Sequence, residues 1–196
     1  MYTIVGLGNP GLEYKDTRHN IGWIVLTAIV KERGLPSLVS SSRFSCLLSE
    51  GVMENEEVGI LLPTTFMNNS GVSVARYLGE RGSKDALVVI HDDVDIVIGD
   101  IKISYDRGAG GHNGVKSIID ECGFKNFIRI RVGIAEKSFW GKIKRPTGEK
   151  LSAFVLGKFS KRDDERLTDA IQKVDSALVH ILKEGVAYAM QEGNKG

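Results

Sequence analysis

The chain begins with Tyr2-Thr3-Ile4-Val5-Gly6-Leu7-Gly8-Asn9-Pro10-Gly11, a stretch that passes from a short apolar run into glycines and a proline. Residues 2–7 are typical of a buried strand, and the glycines and proline predict that this strand leads directly into a loop. A helix is predicted next, from about Thr17 to Arg33. A buried strand, a polar loop and a helix in this order favour an α/β fold.

Predicted strands and helices largely alternate along the rest of the chain. Two strands that pair through a polar turn are predicted at residues 43–49 and 57–62. Further strands are predicted at 86–90, 99–105 and 127–134, and helices at 70–80, at 113–121 and in the tail after an N-cap at Ser160. We therefore expect an α/β fold in which residues 1–196 form a single domain, with a twisted mixed sheet flanked by helices.

Size and composition narrow the class of protein. With 196 residues, of which 42% are hydrophobic, the chain suits one domain that buries a real core and leaves a cleft. Cys46 and Cys122 lie far apart without a C-x-x-C spacing, which argues against a disulfide framework or a zinc site and fits a reducing compartment. No apolar run reaches the length of a membrane helix and no secretion signal is evident, so we expect a cytoplasmic protein.

The net charge of +1 hides a strongly basic segment. Residues 125–162 contain eleven Lys and Arg and two Glu, which gives a local charge of 11 − 2 = +9. This segment is a candidate phosphate-binding face, or else a solvated surface that keeps the protein soluble. Residues 137–150 lack clear periodicity and are predicted to be a mobile loop.

Four turns carry the polar groups that are most suited to chemistry. They are Asn9-Pro10-Gly11, Arg18-His19-Asn20, Met67-Asn68-Asn69-Ser70-Gly71 and Gly108-Ala109-Gly110-Gly111-His112-Asn113-Gly114. Ligands of α/β proteins usually bind where loops leave the strand ends, so all four turns are candidates for one rim. Each asparagine could also serve only as a turn former.

The first of these turns ends the run Gly6-Leu7-Gly8-Asn9-Pro10-Gly11, which matches the dinucleotide-binding pattern G-x-G-x-x-G. In that pattern the helix starts within the motif and directs its amides at the pyrophosphate. Here Pro10 breaks the turn, and the residues after Gly11 delay the helix. We therefore interpret the glycines as a false match, with a nucleotide-dependent enzyme kept as a minor alternative.

The run His91-Asp92-Asp93-Val94-Asp95 suggests metal chemistry, because hard cations favour carboxylate oxygens. Beyond a strand end, however, Asp93 and Asp95 should face one way and Asp92 the other, so the three carboxylates would not converge. A single Asp that orients a histidine is the simpler interpretation.

No sequence motif supports a covalent nucleophile, since Cys46 is predicted within a strand and Cys122 at a helix end. What remains is a histidine that deprotonates water, with a carboxylate to fix its tautomer and amides to stabilise an oxyanion. His19 and His112 are the candidates for this histidine, although His112 could instead have the purely structural role of shaping the glycine turn. His91 and His180 are more typical of structural positions. Such a set suits hydrolysis of an activated ester.

The sequence also resembles the bacterial peptidyl-tRNA hydrolases, in blocks that follow the family's order over nearly the whole chain. These blocks are Val5-Gly6-Leu7-Gly8-Asn9-Pro10-Gly11 with Tyr14, Thr17-Arg18-His19-Asn20-Ile21-Gly22, Thr65-Phe66-Met67-Asn68-Asn69-Ser70-Gly71, His91-Asp92-Asp93-Val94-Asp95, Gly110-Gly111-His112-Asn113-Gly114 and Phe154-Val155-Leu156-Gly157-Lys158-Phe159. The resemblance implies a single α/β domain of the phosphorylase/hydrolase-like fold. It further implies a monomer that frees tRNA from peptidyl-tRNA by ester hydrolysis, with no metal, no cofactor and no protein partner.

The resemblance assigns catalytic roles to three residues. His19 would be the general base that activates water, and Asp92 would hydrogen-bond His19 in its proton-accepting form. Asn9 would contact the peptide side of the substrate and help to distinguish a blocked amine from a free one.

The resemblance also implies a substrate-binding set. Asn68 and Asn113 would bind around the scissile ester, and Tyr14, Phe66 and Met67 would line the site of the terminal nucleotide or the peptide. The basic segment, including Arg131, would hold tRNA phosphates without reading sequence.

Three positions depart from the family pattern. Ser104-Tyr105-Asp106-Arg107 stands where a basic residue usually precedes a longer glycine run, so Arg107 or Lys102 would have to replace the usual phosphate contact. Ala135-Glu136-Lys137 replaces a Gly-Arg-Pro-like stretch, and Leu62 stands where a lysine is common.

The alternative to an enzyme is a non-catalytic RNA-binding relative of the same fold, which occurs as a plant organelle splicing factor.

Overall fold

The computed structural model describes residues 1–136, 143 and 146–195, which fold around a single mixed sheet. Its strands are β1 (Tyr2–Gly6), β2 (Val39–Ser41), β3 (Cys46–Met53), β4 (Glu56–Pro63), β5 (Leu87–Val97), β6 (Ile101–Tyr105) and β7 (Ile128–Ala135). Its helices are α1 (Ile21–Glu32), α2 (Ser70–Glu80), α3 (Asn113–Cys122), α4 (Glu149–Val155), α5 (Asp164–Glu184) and α6 (Val186–Gly193).

The strand order explains where a ligand site can form. The order across the sheet is β2-β3-β4-β1-β5-β7-β6, in which β4, β1, β5 and β7 run parallel. The remaining strands pair antiparallel at the two edges. The carboxyl ends of the four parallel strands therefore meet along one edge, and the predicted mixed sheet flanked by helices is confirmed.

Successive residues of the central strands supply two cores, because side chains alternate between the faces of a sheet. Ile4 packs into the core with α1, α5 and α6, whereas Val5 packs into the core with α2 and α3. Each fully buried Ile or Val contributes about 1.5–3 kcal/mol. The strands are buried on both faces, as the continuous apolar run at the start of the chain predicts.

The glycines near the start of the chain serve the packing of α1 against the sheet. A Cβ at Gly22 would lie 2.5 Å from the Leu7 nitrogen and 2.6 Å from the Ile90 oxygen, and a Cβ at Gly6 would lie 2.5 Å from the Gly22 oxygen. The helix therefore rests directly on the backbone of β1 and β5. Because α1 begins only at Ile21, well after the glycine turn, these glycines do not place a helix N-terminus over a pyrophosphate.

The predicted end of β5 at Ile90 is wrong. The strand runs on to Val97, because His91 and Asp92 continue the pairing with β7. A bulge between Asp93 and Val97 then carries the strand past Gly133, where a Cβ would lie 2.0 Å from the Val97 oxygen. The acidic run consequently lies within the sheet and not beyond a strand end.

Several boundaries also differ from the predictions. The strand predicted from residue 43 begins at Cys46, because Ser45 is in the left-handed region at φ 52°. The helix predicted from Thr17 begins at Ile21, after a single 3-10 turn over Arg18–Asn20. The short elements β2, α4 and α6 were not predicted.

The C-terminal part of the chain matches the predicted helix start. Ser160 and Asp163 form a capping box on the 3-10 turn Lys161–Asp163, which leads directly into α5 at Asp164. Of the loop predicted at 137–150, residues 137–142, 144 and 145 lie outside the described residues, and Glu149 already belongs to α4. No helix in the described part of the chain has the length and apolarity needed to cross a membrane.

Two helical glycines provide a matched test of the packing of α1. We expect Gly22→Ala to lower the free energy of unfolding by about 3 kcal/mol, because its Cβ collides with backbone that cannot move alone. Gly79→Ala in α2, where a Cβ meets nothing within 4 Å, should raise it by up to about 1 kcal/mol. Urea unfolding measures both, and equal effects of the two substitutions would contradict this account.

Candidate active site

A cleft of about 1210 Å³ lies at the carboxyl edge of the parallel strands. All four polar turns contribute to its wall, which confirms the predicted convergence. The predicted site residues that line the cleft are Asn9, His19, Phe66, Met67, Asn68, Asp92, Arg107, Asn113 and Arg131. Helix α4 closes one side with Leu151, Ser152 and Val155.

The glycine-rich run turns the chain so that His112 becomes the N-cap of α3. Gly110 and Gly111 adopt φ angles of 63° and 85°, which side chains with a Cβ rarely tolerate. His112 then accepts hydrogen bonds at Nδ1 from the backbone nitrogens of Gly114 at 3.1 Å and Val115 at 3.3 Å. Since Nδ1 accepts, the ring hydrogen of neutral His112 must be on Nε2.

Asp92 is the carboxylate that meets the histidines. Its Oδ1 accepts from His19 Nδ1–H at 2.8 Å and from His112 Nε2–H at 2.8 Å. The side chain is only 4% exposed. Burial opposes the charged form, but the neighbouring imidazoles and their hydrogen bonds outweigh it and hold the pKa of Asp92 well below its usual range. Asp92 therefore carries its charge at neutral pH.

His19 exposes its other nitrogen to the cleft. Because Nδ1–H is donated to Asp92, Nε2 of the neutral ring holds a lone pair, and it has no hydrogen-bond partner within residues 1–136, 143 and 146–195. Burial disfavours the charged ring, but the Asp92 charge and hydrogen bond outweigh burial and raise the pKa of His19 above 6.5. A basic nitrogen is thus aimed at the cleft.

Asn9 is held rigidly by three hydrogen bonds. Its backbone N–H donates to Asn20 Oδ1 at 2.9 Å, and its carbonyl accepts from Asn20 Nδ2 at 2.9 Å. Its side-chain Oδ1 accepts from the Met67 N–H at 2.8 Å. The Asn9 Nδ2 is left as a donor at the cleft. Sequence reasoning missed this role of Asn20, although its position next to His19 was a usable signal.

The remaining predicted substrate residues occupy different parts of the cleft. Phe66 is 56% exposed, whereas Met67 is buried in the wall. Asn68 and Asn113 are exposed at the cleft surface. Tyr14 does not line the cleft but packs edge-on against Phe66, with ring centroids 6.5 Å apart. Tyr14 therefore adjoins the cleft through its contact with Phe66.

Arginines line the end of the cleft next to the glycine turn. Arg107 is exposed, and Arg131 donates from Nε to Asp93 at 2.7 Å. Arg129 is 4% exposed and donates from Nη1 to the Gly108 oxygen at 2.9 Å, while its Nε has no partner in the described part of the chain. Burial, followed by repulsion from Arg131, lowers the pKa of Arg129. Of these three arginines, Arg131 pairs with a carboxylate, whereas Arg107 and Arg129 have no ion-pair partner in the described part of the chain.

The sequence places Arg129 in the basic segment, but only Arg131 of the two was singled out as a binding residue. The signal was available, because residues two apart on a strand share a face. Ser104, which stands where the family usually has a basic residue, is buried beside them at the cleft. Lys142, Lys144 and Arg145, which belong to the basic segment, lie outside the described residues.

The other histidines agree with their predicted structural roles. His91 is buried, donates from Nδ1 to the Asp92 oxygen at 2.8 Å and packs against His112 with centroids 4.7 Å apart. Burial keeps the pKa of His91 well below its usual value. His180 packs edge-on against Tyr188, with centroids 5.3 Å apart.

The two imidazoles and Asp92 also form a cluster whose ligand atoms lie within 4.8 Å of one another. The hydrogen bonding does not suit a cation. His112 Nδ1 already accepts two backbone N–H groups, so a cation on Nε2 would require that ring to lose its remaining hydrogen. Hydrogen bonds alone therefore account for the close approach of His19, Asp92 and His112.

Comparisons with known proteins identify the family. The family model described as peptidyl-tRNA hydrolase matches residues 3–196. Peptidyl-tRNA hydrolases from Thermodesulfovibrio yellowstonii and Clostridium beijerinckii are each 38% identical, covering 100% and 99% of this chain and 100% and 96% of their own. A crystal structure of peptidyl-tRNA hydrolase from Acinetobacter baumannii superposes with a TM-score of 0.88 at 32% identity, over 100% of this chain and 95% of that one. The chain belongs to the peptidyl-tRNA hydrolase family.

Proposed function

We propose that His19 is the general base with which this peptidyl-tRNA hydrolase cleaves the ester between a peptide, or an N-blocked aminoacyl group, and tRNA. The observation that carries the proposal is the open lone pair at Nε2 of His19, in the cleft, on the ring whose Nδ1–H is held by Asp92. Asp92 fixes the tautomer and stabilises the imidazolium that forms.

The reaction proceeds by proton transfer through one nitrogen. A water on Nε2 of His19 attacks the ester carbonyl carbon while the imidazole takes its proton. The tetrahedral intermediate places a negative charge on the former carbonyl oxygen, which amide N–H donors stabilise. The bond to the terminal ribose oxygen then breaks, and His19 returns the proton to that oxygen. No metal or cofactor is needed, because the imidazole alone activates the water.

The neutral amides of the cleft suit a substrate whose peptide varies. Asn9, clamped by Asn20, directs a fixed donor at the peptide side. Asn68 and Asn113 lie at the cleft surface, where they bind around the ester. Amides recognise the peptide backbone that all substrates share, and Phe66 and Met67 add an apolar wall without selecting one side chain.

The arginine end of the cleft suits the phosphates of tRNA. Arg107 and Arg131 are the predicted contacts, and Arg129 adds a buried guanidinium that has no ion pair with any described carboxylate. Phosphate contacts position nucleic acid without reading its sequence. All these groups lie on one chain, so a monomer is sufficient, and we place the protein in the cytoplasm with its substrate.

Replacing His19 separates catalysis from binding. With N-acetyl-aminoacyl-tRNA and a chelator present, His19→Ala should lower kcat by about 10²- to 10⁴-fold and leave KM within a few-fold. His180→Ala, a histidine remote from the cleft, is the control and should match the wild type. An equal loss of turnover and affinity would exclude His19 as base, and tRNA binding without wild-type turnover would favour the RNA-binding alternative.

The pH profile tests the Asp92–His19 pair. The rate needs neutral His19, so activity is present above the pKa of His19 and lost below it. We expect the acid limb of kcat/KM above pH 6.5 in the wild type, because Asp92 raises that pKa. Asp92→Asn removes the charge and leaves burial, so the limb should move below pH 6.5. A limb that moves upward, or does not move, would contradict the pairing.

Salt dependence tests the arginine end. Arg107→Ala should weaken tRNA binding and make the slope of log K against log salt shallower by about 0.7–0.9 for one lost phosphate contact. Lys183→Ala is the matched control, because Lys183 pairs with Glu54 away from the cleft. The same slope in Arg107→Ala as in the wild type would show that Arg107 touches no phosphate.

A further inference from the structure

One carboxylate oxygen serves two imidazoles in this site. Oδ1 of Asp92 lies 2.8 Å from His19 Nδ1 and 2.8 Å from His112 Nε2, and the two rings are 5.0 Å apart between centroids. A pair of imidazoles around one anion is ambiguous on its own, because either ring could accept the proton of a reacting water. Each ring has a second nitrogen that does not face Asp92, His19 Nε2 and His112 Nδ1, and the surroundings of these two far nitrogens decide which ring accepts the proton.

The far nitrogens differ completely. His112 Nδ1 faces the first turn of α3, where the N–H groups of Gly114 and Val115 donate to it. Protonation there would set an N–H against two backbone N–H groups at the positive end of the helix. His19 Nε2 instead faces the cleft and has no hydrogen-bond partner in the described part of the chain.

We propose that His112 is a positioning residue through which the N-terminus of α3 makes His19, and not His112, the proton acceptor of the Asp92 site. The proposal rests on the role of His19 given above and deepens it. Because His112 Nε2–H occupies the same oxygen as His19, it also limits how strongly Asp92 holds a proton on His19. That limit helps His19 to return the proton to the leaving oxygen.

No other described side chain competes for Asp92 Oδ1. The charged or titratable groups around the three residues are His91, Asp93 and Asp95 on β5, Arg129 and Arg131 on β7, Lys102 on β6, Arg107 after β6, and Arg18 next to His19. Asp93 accepts a hydrogen bond from Arg131, and Arg18 donates a hydrogen bond to Glu136. His91 donates to the Asp92 main-chain oxygen and not to its carboxylate. The residues of α4 in the wall are uncharged.

Tautomers give a test that does not depend on turnover. At pH 8, long-range ¹H–¹⁵N spectra of the imidazoles should show His112 with its hydrogen on Nε2 and His19 with its hydrogen on Nδ1. Assignment uses His112→Asn and His19→Ala, each of which removes one spin system. The same tautomer in both rings, or the reverse arrangement, would overturn the proposal.

Two substitutions separate the nitrogens of His112. Asn can replace Nδ1 as the helix cap but cannot reach Asp92, whereas Gln can donate to Asp92 but does not reproduce the cap. We expect His112→Asn to move the acid limb of kcat/KM upward by about one pH unit, because Asp92 then has only His19 as imidazole donor. His112→Gln should keep the limb within about 0.3 unit of the wild type and lower Tm by about 2–4 °C.

The pattern across the two variants decides the outcome. A purely structural role of His112 would change Tm without a difference between the two acid limbs, and that result would overturn the proposal. If the tautomers are as expected but His19→Ala retains turnover, the role of His19 as base fails and the assignment of a proton acceptor fails with it. The tautomer spectra and the His19 kinetics therefore distinguish the two failures.

Discussion

The hydrogen bonds to Oδ1 of Asp92 are the interaction on which the site depends. A carboxylate this deeply buried costs several kcal/mol unless charged or polar donors compensate for the lost water. His19 and His112 provide that compensation from two separate segments, one before α1 and one at the start of α3. The same two hydrogen bonds that stabilise the Asp92 charge also fix the orientation of the two imidazole rings. The arrangement of the two imidazoles and the stability of the buried charge thus have one cause.

Backbone packing sets how accurately these groups meet. Gly22 lies three residues after His19 and lets α1 rest against Leu7 and Ile90, the latter two residues before Asp92. The turn that carries His19 is consequently held against the strand that carries its partner. On the other side, the left-handed glycines Gly110 and Gly111 bring His112 into line with the helix it caps. Rigid main chain, and not long side chains, defines the distances.

The two ends of the cleft differ in charge. Around Asn9 and His19 the hydrogen-bond donors are neutral, which suits the proposed binding of an uncharged ester and a peptide of variable sequence. Around Arg107, Arg129 and Arg131 the charge is positive, and within the described residues only Arg131 of these three has a carboxylate partner. A substrate with an ester at one end and phosphates nearby matches that division. The near-neutral composition of the whole chain conceals it completely.

The sequence by itself determined the α/β class, the glycine turns and the residue types at the site, because apolar periodicity and turn chemistry are local properties. Tertiary structure alone decided that Asp92 meets both histidines, since β5 continues past Ile90 only through its pairing with β7. It also decided that Tyr14 stays outside the cleft and that Arg129 lines it. Those outcomes depend on long-range pairing and burial, which spacing along one chain does not encode.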